Sequence, residues 1–367
     1  MKKIGIDARL YSQTGVGTYV SSLIYQLQKM APKNIVFYIY LLKEDAQKIQ
    51  FKNKNFIKRI APYRWHSLSE QLGFARLLYK DNIDLMHFTY FSYPILYRKK
   101  FISTIHDITP LLFKTGKAST KNPLLFTTKH FVFRQVIKRQ VEQALAIITP
   151  TKTVKKQVVE RFGQKYSSKI FPIYEGISDE LIKAKQNINL KKRFGGNFII
   201  YIGNFYPHKN VERLVEAFSK IKTGTKLVLI GPKDFFLKRI FEVVKKYKNS
   251  GKVIFYFNPT EEDLVFFYKN ASALIHPSLS EGFGLPLVEA AYFGLPVIAS
   301  NISVFKEVLG NEYVSFDPEN SRDIQIKIES FLQHRPTFNY TKILKNYSFE
   351  RMAKVTLQLY LRVLNSR

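Results

Sequence analysis

Residues Glu281 to Glu289 read E-G-F-G-L-P-L-V-E. They follow a short apolar run, Ala273–His276, and a loop, Pro277–Ser280. Pro286 suits the first turn of a helix, where a missing N–H costs nothing. Gly282 and Gly284 let the backbone approach a ligand closely. Strand, glycine loop and helix in that order make half of a βαβ unit, and the same alternation runs along the chain. The strand candidates of the first half are Lys3–Ile6, Ile35–Leu41, Leu85–His87, Phe101–Ile105 and Ala146–Thr149. Those of the second half are Phe198–Ile202, Lys226–Ile230, Val253–Phe255, Ala273–His276, Pro296–Ala299 and Val314–Phe316. Helical patterns such as Gly17–Met30, Thr153–Phe162, Val211–Lys220, Glu261–Lys269 and Pro286–Phe293 lie between them. Strands separated by helices of ~10–15 residues mean parallel sheets.

The series occurs twice, on either side of F-P-I-Y-E-G-I-S at Phe171–Ser178, which Pro172 and Gly176 punctuate. The reading is an α/β protein of two doubly wound, Rossmann-like parallel-sheet domains, residues 1–174 and 175–346. An amphipathic helix, about Ser348–Leu364, falls in residues 347–367, after the second sheet is complete. The length of 367 residues fits two domains at ~100–200 residues each.

Composition narrows the function classes. At 46% hydrophobic and 23% charged the chain can bury a core, which excludes disordered and low-complexity proteins. Cysteine is absent, so no disulfide or thiolate metal site exists, in keeping with a reducing cytoplasm. Asp7 and Arg9 interrupt the first apolar run, so the N-terminus does not read as a signal peptide. No stretch approaches the ~18–20 apolar residues of a membrane span. Against 28 Asp+Glu stand 58 Lys+Arg, a net charge of +30, which implies a polyanionic partner, nucleic acid or an anionic membrane surface. Residues 1–176 hold 30 basic and 10 acidic side chains, 30 − 10 = +20, and residues 177–367 hold 28 and 18, 28 − 18 = +10.

Four segments carry chemistry. In Glu281–Glu289 the N–H groups of the helix start can bind hydroxyls or a phosphate, and Glu281 and Glu289 can reach a ligand held there. In Tyr201–Asn210, Y-I-G-N-F-Y-P-H-K-N, Gly203 makes the turn after a strand and Lys209 can pair with a phosphate as a point charge. Both follow strands of one sheet, and parallel sheets bind ligands at the carboxyl ends of their strands. Gly5–Gly17, G-I-D-A-R-L-Y-S-Q-T-G-V-G, resembles a phosphate-binding turn without the full G-x-G-x-x-G fingerprint. In Thr104–Pro110, T-I-H-D-I-T-P, His106 beside Asp107 can bind a sugar hydroxyl or assist proton movement.

Taken together these segments resemble the retaining glycosyltransferases of family 4, often called group 1, with the GT-B fold. The likeness covers I-D-A-R with Gly15-Val16-Gly17, I-H-D with Pro110, T-P-T-K-T-V at Thr149–Val154 and the linker near Gly176. It continues through G-N-F-Y-P-H-K-N, H-P-S-L-S-E-G-F-G-L-P-L-V-E-A and G-L-P-V-I-A-S. The resemblance implies two domains facing a cleft, with the C-terminal helix crossing back to the first. It implies that Glu281 contacts the transferred sugar and Glu289 the donor ribose. Gly282, Phe283, Gly284 and Leu285 would hold sugar hydroxyls through the backbone, and Lys209 the donor diphosphate. Gly203 and Asn204 would line the donor loop. His106 would lie near sugar and acceptor, with Gly15 and Gly17 bordering the diphosphate.

The resemblance also implies a function: hexose transfer, of the mannose or glucose type, from a nucleotide diphosphate sugar to a glycan or polyprenyl-diphosphate-linked acceptor in cell-surface polysaccharide synthesis. GDP-mannose and UDP-hexoses both fit as donors. The loops Gly231–Lys233 and Phe257–Thr260 are expected near the base. No Asp-x-Asp motif occurs, so no cofactor or essential metal is expected. Three positions depart from the family pattern: Asn204 and His208 stand where Arg is frequent, and Y-E-G-I replaces N-G-I in the linker.

A non-catalytic nucleotide-sugar-binding relative and a basic nucleic-acid-binding protein are the alternatives. No helix-turn-helix, RNA-recognition or zinc signature supports specific nucleic-acid binding. Between Asp107 and Glu142 there is no acidic residue, while Lys114, Lys117, Lys121, Lys129, Arg134, Lys138 and Arg139 alternate with Phe113, Phe126, Phe131 and Phe133. Such a segment suits the inner face of the plasma membrane, with its rings at the interface.

Overall fold

A computed structural model of the chain describes residues 1–112, 123–247 and 250–366. Two compact units are present, one of residues 1–111, 123–175 and 348–366, the other of Gly176–Tyr347. Lys114, Lys117, Lys121 and Phe113 lie outside the described residues, as do the side chains of Phe126 and Lys129.

The first unit is built on seven strands: β1 (Lys2–Asp7), β2 (Ile35–Leu41), β3 (Phe56–Ile60), β4 (Leu85–Phe88), β5 (Phe101–Thr104), β6 (Ala146–Thr149) and β7 (Ile170–Pro172). Their order is β3-β2-β1-β4-β5-β6-β7, and all neighbours run parallel. The central strands β4, β5 and β6 are buried at every position, because crossover helices cover both faces of a parallel sheet. The two edges, β3 and β7, escape the apolar-run criterion. β3 carries Lys58 and Arg59 and buries only Phe56, while β7 is three residues ending in proline, which has no N–H to donate and is confined to edges. β7 overlaps the start of the stretch read as a domain boundary, Phe171–Ser178.

The second unit holds six parallel strands: β8 (Phe198–Ile202), β9 (Lys226–Gly231), β10 (Val253–Phe257), β11 (Leu274–His276), β12 (Val297–Ser300) and β13 (Val314–Phe316), in the order β10-β9-β8-β11-β12-β13. The chain moves outward from β8 to β10, then returns to lay β11 against the other side of β8. The loops after β8 and β11 therefore flank the point where the strand order reverses, the place where open α/β sheets bind ligands.

The C-terminal helix Phe349–Asn365 belongs to the first unit. It buries Met352, Leu357, Tyr360 and Val363, and the Tyr360 hydroxyl lies 2.7 Å from His87 Nδ1 on β4. No described helix is long and apolar enough to cross a membrane.

The end of β1 is fastened by charge. Arg9 is 2% exposed and binds Asp7 through Nε to Oδ1 at 2.8 Å and NH2 to Oδ2 at 2.6 Å. Its NH2 also donates to Glu70 Oε1 at 2.7 Å, NH1 donates to the Tyr63 carbonyl at 2.9 Å, and the guanidinium lies over the Phe74 ring. Glu70, fully buried, accepts further bonds from the Ser92 hydroxyl and the His66 N–H. Replacing Arg9 with Met strands two carboxylates in the core. Removal of one member of a buried ion cluster costs on the order of 3–5 kcal/mol, so Arg9→Met should lower the urea midpoint by that equivalent. A change below about 1 kcal/mol would deny the cluster its structural role.

Candidate active site

The site in the second unit is assembled from two loops. After β8, Gly203 and Asn204 turn the chain, with the Tyr201 hydroxyl donating to the Asn204 carbonyl at 2.5 Å and the Phe205 N–H donating to Asp234 Oδ2 at 2.6 Å. A single 3-10 turn, Pro207–Lys209, follows, and Asn210 takes the left-handed conformation (φ 58°) before the helix Val211–Ser219. Asn210 Nδ2 donates to the carbonyls of Pro277 at 3.1 Å and Pro318 at 2.7 Å. The Leu279 N–H donates to the His208 carbonyl at 2.8 Å. These bonds draw the loop after β8 onto the loop after β11.

Glu281 sits where the two loops meet. Its Oε1 accepts from Lys209 Nζ at 2.6 Å, Ser278 Oγ at 2.8 Å and His276 Nε2 at 2.9 Å. Among the described residues Oε2 takes no such bond. Burial opposes the charge on this carboxylate, but the Lys209 ammonium and the His276 N–H outweigh it and hold Glu281 well below the usual carboxylate range. Because a carboxylate only accepts, His276 carries its proton on Nε2. Burial depresses the imidazole's pKa and keeps it neutral, so the buried Nδ1 is left as a bare acceptor. His276 stacks on the Tyr201 ring with centroids 5.7 Å apart. Burial and the adjacent Lys209 push His208 down to about 4. It is neutral at pH 7 and supplies no cation where the family resemblance suggests Arg.

Gly284 begins the helix Leu285–Tyr292 at φ 96°, a left-handed conformation that favours glycine. Gly282, Phe283, Gly284 and Leu285 thus pass from loop into helix with Pro286 in the first turn. Glu289 lies farther along the same helix and accepts a bond from the Tyr268 hydroxyl at 2.5 Å. Removal from water pushes its carboxyl up to about 7, with the Tyr268 bond opposing and Glu261 adding to the rise.

Gly15, Gly17 and His106 belong to the first unit. Gly15, at φ 72°, precedes the helix Val16–Met30, and a Cβ on Gly17 would stand 2.5 Å from the Tyr11 carbonyl oxygen. His106, just past β5, donates through Nε2 to the Thr89 carbonyl at 3.0 Å, and its Nδ1 lies 3.4 Å from Glu175 Oε1. Its ring meets the Tyr19 ring edge-on, and Tyr19 shares a hydrogen bond with Thr104 Oγ1 at 3.0 Å. The neighbouring carboxylate, Asp107, accepts from the Thr109 N–H instead. Both ring nitrogens of His106 are therefore turned toward groups of its own unit, and its orienting carboxylate is Glu175 rather than Asp107.

The residue types singled out in the loops after β8 and β11 do converge, Lys209 on Glu281 above all. His276, Ser278, Asn210 and Tyr268 were not singled out as site residues. His276 and Ser278 lie in the H-P-S-L-S-E run, five and three residues before Glu281, and that spacing was the available signal. Tyr268, on the helix Glu261–Asn270, gives none, because its contact with Glu289 spans two helices.

Comparison with known proteins gives a consistent result. Residues 180–351 match the family described as "Glycosyl transferases group 1", and residues 14–181 match "Glycosyltransferase Family 4". The O-antigen chain mannosyltransferase RfbU of Salmonella typhimurium is 24% identical over 355 residues, covering 94% of this chain and 95% of RfbU. Among solved structures, sucrose-phosphate synthase from Thermosynechococcus elongatus superposes with a TM-score of 0.78 at 18% identity, covering 99% of both chains. Anabaena HepE in complex with UDP and glucose superposes with a TM-score of 0.75 at 15% identity, over 99% of this chain and 100% of that one.

Two outcomes follow from the geometry. Lys209→Ala and Glu281→Ala each remove one member of a part-buried ion pair and should cost on the order of 1–3 kcal/mol of stability. The double variant should lose less than their sum by ~1–3 kcal/mol, read from a double-mutant cycle of denaturant unfolding. A purely additive cycle would dissolve the pair as a unit. For Glu289, protonation in the folded state to about 7 against 4.5 for the free group sets the sign. Its contribution is fully present below about pH 4.5 and is lost as pH rises through about 7. Glu289→Gln should therefore gain on wild type by on the order of 1–3 kcal/mol between those limits. Equal unfolding midpoints for the two proteins at pH 5 and pH 8 would contradict this.

Proposed function

Because the chain belongs to the glycosyl transferases group 1, the family 4 glycosyltransferases of GT-B fold, and is a hexosyltransferase, we propose a specific reaction for it. The transfer moves a mannose- or glucose-type hexose from a nucleotide diphosphate sugar to a glycan or lipid-linked saccharide, with retention at the anomeric carbon. The likeness to RfbU, named as an O-antigen chain mannosyltransferase, favours mannose and a polysaccharide acceptor. The observation that carries the reading is the state of Glu281: one oxygen locked by three donors, the other taking no hydrogen bond among the described residues.

Departure of the nucleoside diphosphate from the anomeric carbon leaves growing negative charge on phosphate and positive charge on the sugar. Preorganised positive potential at the diphosphate is then the largest requirement. Lys209 donates one of its three N–H groups to Glu281 and keeps two for phosphate oxygens. The N–H groups at the start of the helix Leu285–Tyr292 add their dipole. Glu281 Oε2 accepts from a sugar hydroxyl and orients the ring, and Glu289 accepts from the donor ribose. With no Asp-x-Asp motif, the charge is met by these groups and no divalent metal is required, so activity persists in EDTA. His106, held by Thr89 and Glu175, is assigned to the acceptor on the family resemblance. Peripheral attachment at the cytoplasmic face of an anionic membrane is supported by Phe131 and Val132, 60% and 53% exposed, whereas Phe133 packs inward against Phe91 and His66.

Incubation with GDP-, UDP-, ADP- and dTDP-sugars should release nucleoside diphosphate with one base preferred. The matching diphosphate at 100 times its Kd should stabilise the protein by ~2.7 kcal/mol. Glu281→Ala and Lys209→Ala should each lose ~2–4 kcal/mol of transition-state stabilisation in kcat/KM. Undiminished release by both variants would refute the assignment.

A further inference from the structure

The first unit carries a second concave site, formed by the helix Pro123–Gln143, the helix Lys152–Phe162 and the turn Gln164–Lys169. Arg134 and Lys138 stand four residues apart on one helix face, and Arg161 and Lys165 line the same space. Phe162 and Tyr166 supply apolar surface in a space of about 500 Å³. The one carboxylate in the lining is Glu142, which makes only long, exposed contacts: 4.0 Å to Lys138 and 3.7 Å to Arg139. Contacts of that kind neutralise little. Among the described residues Arg134, Arg161 and Lys165 form no ion pair. The Lys165 ammonium lies 5.1 Å from the centre of the Tyr166 ring, and Lys169 on the same ring is committed to the carbonyls of Glu142 and Ala144. Four cations against one carboxylate give the lining a net charge of +3.

Uncompensated guanidinium and ammonium groups around a shared space match phosphate oxygens, arginine by its planar fork and lysine as a point charge. The volume, within the ~300–1,000 Å³ range of small-molecule sites, far exceeds an inorganic phosphate. The aromatic surface asks for an organic group next to the charge. We propose that this groove binds a phosphate ester, its phosphate held by Arg134, Arg161 and Lys165 and its organic portion laid on Phe162 and Tyr166. Such a group comes either as the headgroup of an anionic phospholipid or as a soluble phosphorylated saccharide. The site is independent of the donor site, since none of its residues belongs to the loops after β8 and β11.

The test compares wild type with Arg161→Gln/Lys165→Gln, two exposed side chains, and with Lys245→Gln/Lys246→Gln, which removes the same charge from an exposed helix end in the other unit. Each full-length protein is measured for binding to phosphatidylcholine vesicles with and without phosphatidylglycerol, and for binding of glycerol 3-phosphate by calorimetry. An unchanged thermal shift by the preferred nucleoside diphosphate certifies folding and keeps the result separate from the transfer reaction. A lipid source appears as phosphatidylglycerol-dependent binding that weakens about tenfold, or ~1.4 kcal/mol, in the groove variant alone. A soluble source appears as glycerol 3-phosphate binding lost in that variant while vesicle binding is equal in all three proteins. Equal losses in the groove and control variants, or no difference between wild type and the groove variant with either probe, would overturn the proposal.

Discussion

One contact organises the second unit: Lys209 Nζ to Glu281 Oε1, a part-buried charge pair spanning 72 residues of sequence. A buried charge is tolerable only when it is paired and its remaining hydrogen-bonding capacity is met. Ser278 and His276 meet it on Oε1, and His276 is in turn held by stacking on Tyr201 at the end of β8. The loop after β8 and the loop after β11 therefore cannot take their conformations separately. Asn210, reaching the carbonyls of Pro277 and Pro318, adds a neutral version of the same constraint. The outcome is a carboxylate whose Oε1 gathers three donors from two loops.

The first unit applies the same physics to a different end. Asp7, Arg9 and Glu70 form a buried cluster at the carboxyl end of β1. A separate chain of hydrogen bonds joins Tyr360, His87, Thr104 and Tyr19. Burial pushes His87 down to about 3, so it is neutral and bridges two hydroxyls, one through each ring nitrogen. Through it the C-terminal helix is tied to the strand ends beside His106. Charge is spent differently on the surface. Among the described residues Arg134, Arg161 and Lys165 form no ion pair, which is the local form of an excess of +20 over residues 1–176.

Much of this was legible beforehand. The alternation of apolar runs with helical patterns placed eleven strands, nine of them interior to their sheets, because a strand covered on both faces is apolar throughout. The two strands it missed, Phe56–Ile60 and Ile170–Pro172, are edges, where one side needs no partner and Lys, Arg or Pro is allowed. Glu281, Lys209 and Gly284 stood out because loops that follow strands and open helices hold few residue types for packing reasons alone. His106 stood out for the same reason. Its partner did not, since Glu175 comes from the far end of the first unit and Asp107, adjacent in sequence, turns instead to the Thr109 N–H.

Local sequence determined the elements, their order, the turn residues and the presence of Lys, Glu and His after the strands, since periodicity and φ preferences act over a few residues. Tertiary structure decided the charge states: Glu281 held ionised, His208 and His276 neutral, and Glu289 raised to about 7. It also decided that Lys209 pairs with Glu281. Those properties depend on distance and on exclusion of water, and both are set by groups tens of residues apart, such as Lys209 with Glu281 and Tyr268 with Glu289, that only the folded chain brings within 3 Å.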